Sequence, residues 1–398
     1  MAIENQARED TLEQPVHDPS GFLTGILVQQ QQYATLRWLC HFDILPKITQ
    51  SRDGISYGEV AQQAGVPETT LRSIARMAMT SGFLAETPEG RLIHNALSRT
   101  ISEDRHLNHW FRYIVEQTVP LMDCLIPAVE KWGNSKASTH TAYNVMRNTN
   151  LPFFGFLKSR PDLRADFDLY MESQAVMHSG TRIDHLLQVF DWAALGDALV
   201  VDVGGNAGAT SITLAKAFPA LRLIIQDLEE PIESARSKLS ELAVDLSKRI
   251  ETQEHDFFSP QPVQGADVYL LRMILHDWKD AEAVKILERL AAAASPKSRI
   301  LIMDMVLPRP GTGTRRLEAA LRQKDLAMLH AFNAKEREVE DWQRVLEQAD
   351  GRLEIKTIRR PDGSQHSVIE AGLREATGTD GGSNGVSEHH EETGTLVS

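Results

Sequence analysis

Two cysteines, Cys40 and Cys124, are all that this 398-residue chain contains. No disulfide framework or zinc site can be built from two thiols in separate apolar stretches, so a reducing cytoplasm is the expected setting. Aromatic residues are scarce at 6%, which makes any local cluster of rings informative. Positive charge is short too: 42 Lys and Arg face 55 Asp and Glu, a net charge of −13. A general nucleic-acid surface is therefore not expected. No apolar run reaches the ~20 residues that span a bilayer. The chain does not open on a basic segment followed by an apolar run, so no secretory signal is expected, and Leu-Val-Ser at the end is no sorting or prenylation motif. What remains is the composition of a globular protein, 42% hydrophobic and 24% charged, at a length that calls for two domains.

In chain order, polar residues 1–19 read as a tail. Residues 20–48 are helical and carry Leu23, Ile26, Leu27, Leu36, Trp38, Leu39 and Phe42, more than one intrachain face needs, so a second subunit is the favoured partner. Residues 56–94 have the rhythm of a winged helix. Helices at 57–64 and 68–80 flank the turn Gly65-Val66-Pro67, and Phe83-Leu84 with Leu92-Ile93 form a hairpin. Arg72 and Arg76 are the cations a DNA reader would use, but four glutamates against three arginines favour a structural role. Residues 100–195 are mostly helical and hold the aromatic run Leu151-Pro-Phe153-Phe154-Gly-Phe156, with Met171, Met177 and His178 following. Phe and Met together can line a pocket for a flat apolar ligand.

From Leu199 strands and helices alternate, the signature of a mostly parallel sheet covered on both faces. Strands are expected at 199–203, 221–226, 266–273 and 299–306, with helices at 209–218, 231–246, 280–294 (N-cap Asp280) and 338–349. An antiparallel pair is expected at 353–358 and 366–371. After Leu373 the composition is that of a second tail, in which His389 and His390 read as solvated.

The chemistry gathers at the ends of the strands. Leu199-Val-Val-Asp202-Val-Gly204-Gly205-Asn206-Ala-Gly208 leads a strand through glycines into a helix, a junction where backbone can approach a ligand closely. Its spacing is not the G-x-G-x-x-G of a dinucleotide site, and Asp202 suits a cationic ligand better than a phosphate. Asp227 closes the next strand, where an acid can grip two ribose hydroxyls. Arg272 interrupts an apolar strand and should project to the ligand edge. His276, in His276-Asp277-Trp278, is a candidate general base. Asp304 and Glu336 are two carboxylates that could orient it and raise its basicity.

VDVGGNAG, IIQDL, HDFF, LLRMILHDWKD, MDMVLP and AKER together resemble the plant-type O-methyltransferases of the caffeic-acid and flavonoid kind, which include fungal secondary-metabolite members. The resemblance implies an α/β, Rossmann-like class I methyltransferase domain at 196–373. It implies a helical, winged-helix dimerisation region at 20–110 and a helical substrate-pocket region at 111–195. It further implies S-adenosylmethionine as methyl donor, with Gly204 under its methionine part, Asp227 on the ribose, and Asp256 and Phe257 at the adenine. Arg272 stands near the donor where lysine is usual. His276 is implied as base, flanked by Asp304 and Glu336, acting on a phenolic hydroxyl of a small aromatic metabolite such as a polyketide. A homodimer is implied; no metal, nucleic acid or membrane is. Asn206 replaces a glycine, Asp304 a commoner glutamate, and Asn333-Ala334 a common Gly-Gly pair. The competing reading is a winged-helix regulator that senses a ligand without catalysis; a nicotinamide oxidoreductase is disfavoured by the turn.

Overall fold

The structure is a computed structural model that describes residues 18–177, 180, 182–312 and 314–374. His178, His389 and His390 lie outside them. Helix α1 (Pro19–His41) starts inside the stretch assigned to the first tail, because the Asp18 side chain accepts the Ser20 N–H and Pro19 supplies a preset first turn. Its apolar surface divides. Leu39 is fully buried, with Leu36, Trp38 and Phe42 packed around it, whereas Phe22, Leu23, Ile26, Leu27 and Val28 are exposed.

Helix α2 (Tyr57–Ala64) begins with a reciprocal Ser56–Glu59 cap and ends at left-handed Gly65, and α3 (Glu68–Met79) follows. The hairpin pairs Ala85–Glu86, not Phe83-Leu84, with Leu92–Ile93. Phe83 and Leu84 are drawn into the core, Leu84 with a left-handed φ of 71°, so the strand begins two residues later. Arg72 pairs with Glu68 at 2.8 Å and lies over the Tyr57 ring, while Arg76 grips Glu86 through two bonds of 2.9 and 2.7 Å. The cations that a DNA-reading helix would present are engaged within the fold.

The helical middle includes α4 (Arg105–Tyr113), α5 (Phe153–Ser159) and α6 (Pro161–Met177). Phe153 is buried among the rings of Tyr143, Phe167 and Phe332, at centroid distances of 4.6, 5.2 and 4.9 Å. Within the aromatic run Phe153 thus packs ring on ring in the core, Phe156 is half-buried, and Leu151 and Phe154 are exposed.

The second half is built on seven strands: β1 (Leu199–Val203), β2 (Arg222–Asp227), β3 (Ile250–Glu254), β4 (Val268–Arg272), β5 (Arg299–Asp304), β6 (Leu353–Arg359) and β7 (Ser367–Leu373). Their order across the sheet is β6-β7-β5-β4-β1-β2-β3, with β1 to β5 parallel and β7 antiparallel to both neighbours. Side chains alternate between two cores. Val201, Tyr269 and Ile302 face α9 (Asp280–Ala293) and α11 (Val339–Ala349), while Val200, Ile225 and Leu270 face α7 (Ala209–Ala217) and α8 (Glu229–Ser240).

Four elements differ from expectation. Strand β3 has too polar a sequence, Ile-Glu-Thr-Gln-Glu, to stand out by hydrophobicity; it lies at the sheet's edge. Helix α10 (Arg315–Phe332) was not foreseen, and the helix expected over 231–246 stops at Ser240 before a separate turn at Val244–Ser247. The strand expected over 299–306 ends at Asp304, after which Val306–Leu307 forms its own parallel pair with Arg337–Glu338. That pair carries Glu336 to the end of β5.

Gly208 begins α7 with φ 78°, and a Cβ there would stand 2.5 Å from Ile225 Cδ1. Gly208→Ala should therefore lose about 2–4 kcal/mol in denaturant titration, from left-handed strain plus overpacking. Gly351→Ala, which meets open space, should stay within about 0.5 kcal/mol of the parent.

Candidate active site

The glycine loop after β1 is closed by its own hydrogen bonds. The Gly204 and Gly205 N–H groups both donate to the Gln226 carbonyl, at 2.8 and 3.0 Å, so these amides face β2 rather than forming a free cradle. What the loop offers is a bare edge. A Cβ on Gly204, whose φ is 72°, would lie 2.6 Å from Ile274 Cδ1 and 3.7 Å from the Phe257 ring. Asn206 takes the left-handed conformation (φ 49°) that a glycine would otherwise supply. Its N–H donates to Asp227 Oδ2 at 2.9 Å.

Asp202 sits beneath this loop instead of on its ligand side. It is buried and accepts the Ser211 hydroxyl at 2.6 Å, tying β1 to α7. Burial pushes its pKa up to about 6. Asp227, at the end of β2, accepts the Leu228 N–H with its other oxygen at 2.8 Å, and burial raises its pKa as well. Asp256 is exposed and accepts the Phe258 N–H at 3.0 Å. Phe257 packs edge-on against Phe258 and Trp278. A loop edge without side chains, a carboxylate at the next strand end and a ring beside Gly204 fit a cationic adenosyl ligand.

Arg272 ends β4 in register with Met303, the residue before Asp304. Burial lowers its pKa, against the support of Asp202 and Asp304. Met273 then takes φ 56°, a costly left-handed residue, with its N–H on the Met303 carbonyl at 3.0 Å. It turns the chain out of the sheet and into the short turn Leu275–Asp277.

That turn carries His276, which is buried with Nδ1 2.9 Å from Glu336 Oε1. Asp277 Oδ1 lies 3.6 Å from Nε2. Burial opposes the imidazolium, but Glu336, Asp277 and Asp304 outweigh it and push the pKa up to about 10. Asp304 is fully buried and spends Oδ2 on the Leu275 N–H at 3.2 Å. Of the two acids expected to flank the imidazole, Glu336 touches it. Asp304, one methylene shorter than glutamate, acts through its charge and through the turn's backbone. Its own pKa is pushed up to about 7 by burial.

An O-methyltransferase domain model matches residues 136–351, more than half of the chain. O-methyltransferase fsr2 of Gibberella fujikuroi is 56% identical over 361 residues, covering 91% of this chain and 93% of that one. The chain belongs to the O-methyltransferase family. Another relative, O-methyltransferase VdtC of Byssochlamys spectabilis, is 43% identical and covers 90% of this chain and 83% of its own length. Among solved structures, NcsB1 is an O-methyltransferase from neocarzinostatin biosynthesis in complex with S-adenosylmethionine and 2-hydroxy-5-methyl naphthoic acid. It superposes with a TM-score of 0.67 at 25% identity, covering 86% of this chain and 96% of that one.

Sequence reasoning passed over the residue that fixes the methyltransferase's histidine turn. Arg337 is fully buried and donates to the carbonyls of Leu275 (2.7 Å) and Trp278 (2.8 Å) and to Asp280 Oδ1 (3.0 Å), with the Trp342 ring 5.1 Å away. Asp280 was expected to cap α9; Lys279 takes the cap position, and the Asp280 carboxylate serves Arg337 and Lys335 instead. A charged residue next to Glu336 was the available signal. Asp325 was likewise missed: its carboxylate accepts the Glu336 N–H at 2.9 Å. Asn333, replacing glycine, closes α10 with φ 54° and donates to the carbonyls of Ala137 (2.8 Å) and His140 (2.9 Å), linking the helical half to the catalytic one.

Arg337→Met should cost about 2–4 kcal/mol, because it leaves the Leu275 and Trp278 carbonyls without their donor, while Asp280 keeps Lys335. Arg337→Lys should recover little of it, since an ammonium cannot reproduce the three-way fork. Denaturant titration measures both; a loss below about 1 kcal/mol for the Met variant would contradict this role.

Proposed function

We propose that this enzyme moves a methyl group from S-adenosylmethionine to a phenolic hydroxyl of an aromatic secondary metabolite, a polyketide being the favoured class, with His276 as the general base. The observation that carries the reading is the His276 Nδ1 to Glu336 Oε1 contact of 2.9 Å, set at the strand ends beside the glycine loop. Gly204, Asp227, Asp256, Phe257 and Arg272 are the residues that would hold the donor. Bound there, S-adenosylmethionine supplies an electrophilic methyl group.

The protein's part is proton transfer and positioning. With Glu336 accepting from Nδ1–H, the neutral imidazole presents its Nε2 lone pair to the acceptor hydroxyl. The phenolic proton moves to Nε2 as the oxygen attacks the methyl carbon and the carbon–sulfur bond breaks. A phenol has a pKa of about 10, close to that of His276, so the transfer is nearly balanced. A matched general base contributes typically ~10²–10⁴-fold, and alignment of the reacting atoms supplies a further large part. The VdtC and fsr2 relatives, named as O-methyltransferases, and NcsB1, with its naphthoic acid, support the choice of an aromatic oxygen acceptor.

The exposed stripe Phe22, Leu23, Ile26, Leu27 and Val28 on α1 supports a homodimer, since a second copy would cover it. No helix among the described residues is long and apolar enough to cross a membrane, and the reading places the enzyme in the cytoplasm.

The test is incubation with methyl-labelled donor and a panel of phenolic polyketides, read as a mass gain of one methyl group. Wild type should label at least one member. His276→Ala should bind the donor as wild type does in calorimetry and lose at least about a hundredfold in turnover. Near-normal turnover in that variant would refute the base assignment, and no labelling of any oxygen acceptor would refute the reaction.

A further inference from the structure

Helix α10 carries a lysine that the reaction as described does not use. Lys324 stands one residue before Asp325, the residue that holds the Glu336 backbone, and its side chain crosses to α6. There Nζ donates to Gln174 Oε1 at 2.9 Å. Gln174 is buried, and the Tyr170 hydroxyl is hydrogen-bonded to it and to Thr118. Tyr170 in turn stacks face to face on Tyr113, with centroids 3.9 Å apart and planes 12° from parallel. Lys324 therefore joins two regions: the carboxylate Glu336 that holds His276, whose charge it feels, and a flat double ring in the helical half.

The chemistry of this ammonium is incomplete. It has three protons, and Gln174 takes one. Among the described residues no carboxylate lies within 4 Å of Nζ, the distance at which its neighbours Arg322 and Lys335 are paired. Burial draws its pKa below that of an ordinary lysine, and only the field of Glu336 opposes this. Lys324 is half-buried, and an ammonium with one hydrogen bond in such a place is completed best by an anion. Glu336 makes no contact with Nζ: its Oε1 is held by His276, and its Oε2, which has no hydrogen-bond partner, acts on Lys324 only through charge.

We propose that Lys324 binds a carboxylate on the acceptor, so that the preferred substrate is a hydroxyaryl carboxylate lying between the Tyr113–Tyr170 pair and His276. A carboxylate is ionised throughout the neutral range, whereas a second phenol is not, and a fixed cation calls for a fixed anion. The two free ammonium protons match the two oxygens of one carboxylate. Gln174 holds Nζ in place from α6. This inference rests on the phenol-methylating reading and narrows it.

The experiment compares three acceptors with the full-length enzyme and S-adenosylmethionine: 3-hydroxy-2-naphthoate, its methyl ester, and 2,3-dihydroxynaphthalene. Wild type should favour the naphthoate over both neutral compounds by at least about tenfold in kcat/KM, the range of a charge-assisted hydrogen bond, with the difference in KM. Lys324→Met should erase that preference while leaving donor affinity and turnover of the ester within about twofold. Lys324→Arg, which keeps the charge, should retain most of it. No preference in wild type, or a preference that survives in Lys324→Met, overturns the proposal. If the dihydroxy compound equals the naphthoate, an anion is not what Lys324 reads and the proposal also falls. Methyl transfer to all three without discrimination would leave the reaction standing and remove only Lys324; transfer to none would count against the reaction itself.

Discussion

The site depends on one buried guanidinium. Arg337 holds the Leu275 and Trp278 carbonyls on either side of His276, and its neighbour Glu336 holds the imidazole itself. Two consecutive residues thus fix both the backbone and the ring of the proposed base. They can do so because Val306–Leu307 pairs with Arg337–Glu338 directly beyond β5, which places the segment against a turn that lies sixty positions earlier in sequence. Met273, forced to φ 56°, brings the turn out of the sheet to meet it. Strain at one end and a buried charge at the other define a position that a free loop would not keep.

The electrostatics follow from the same crowding. Asp277, Asp304 and Glu336 all favour the protonated imidazole, and burial pushes Asp277 and Asp304 up to about 6 and 7. A pKa near 10 makes His276 a strong base whose neutral, working form becomes more abundant as pH rises. On the proposed reading, a cationic donor on the Asp227 side would oppose the three acids and favour the neutral imidazole, since it disfavours a second positive charge nearby. Donor binding and readiness of the base would then be coupled through charge.

Much of this was legible in the sequence. The parallel sheet could be read because its strands are apolar and evenly spaced, and Arg272, Asp304 and Asp227 stood out as charges at the ends of apolar runs. Asn206 could be read as a residue able to replace glycine at φ > 0, and it does so. What could not be read depends on contacts distant in sequence. Strand β3 belongs to the sheet through its pairing with β2 and carries a polar edge sequence. Asp280 has the look of a helix cap until Arg337 claims its carboxylate. The aromatic run at 151–156 does not tell in one dimension that Phe153 is taken up by the rings of Tyr143, Phe167 and Phe332 while Phe154 stays exposed. Lys324 is an unremarkable helical lysine until α6 is seen across from it.

The central claim is that His276 removes the acceptor proton and that Glu336 makes it a strong base. The most direct test is the pH dependence of kcat/KM for wild type and Glu336→Gln. Loss of a carboxylate 2.9 Å from Nδ1 makes the imidazolium less stable. The wild-type profile should therefore climb towards a limb near pH 10, and that limb should move down by about one unit or more in the variant. A limb at the same pH in both proteins would contradict the account.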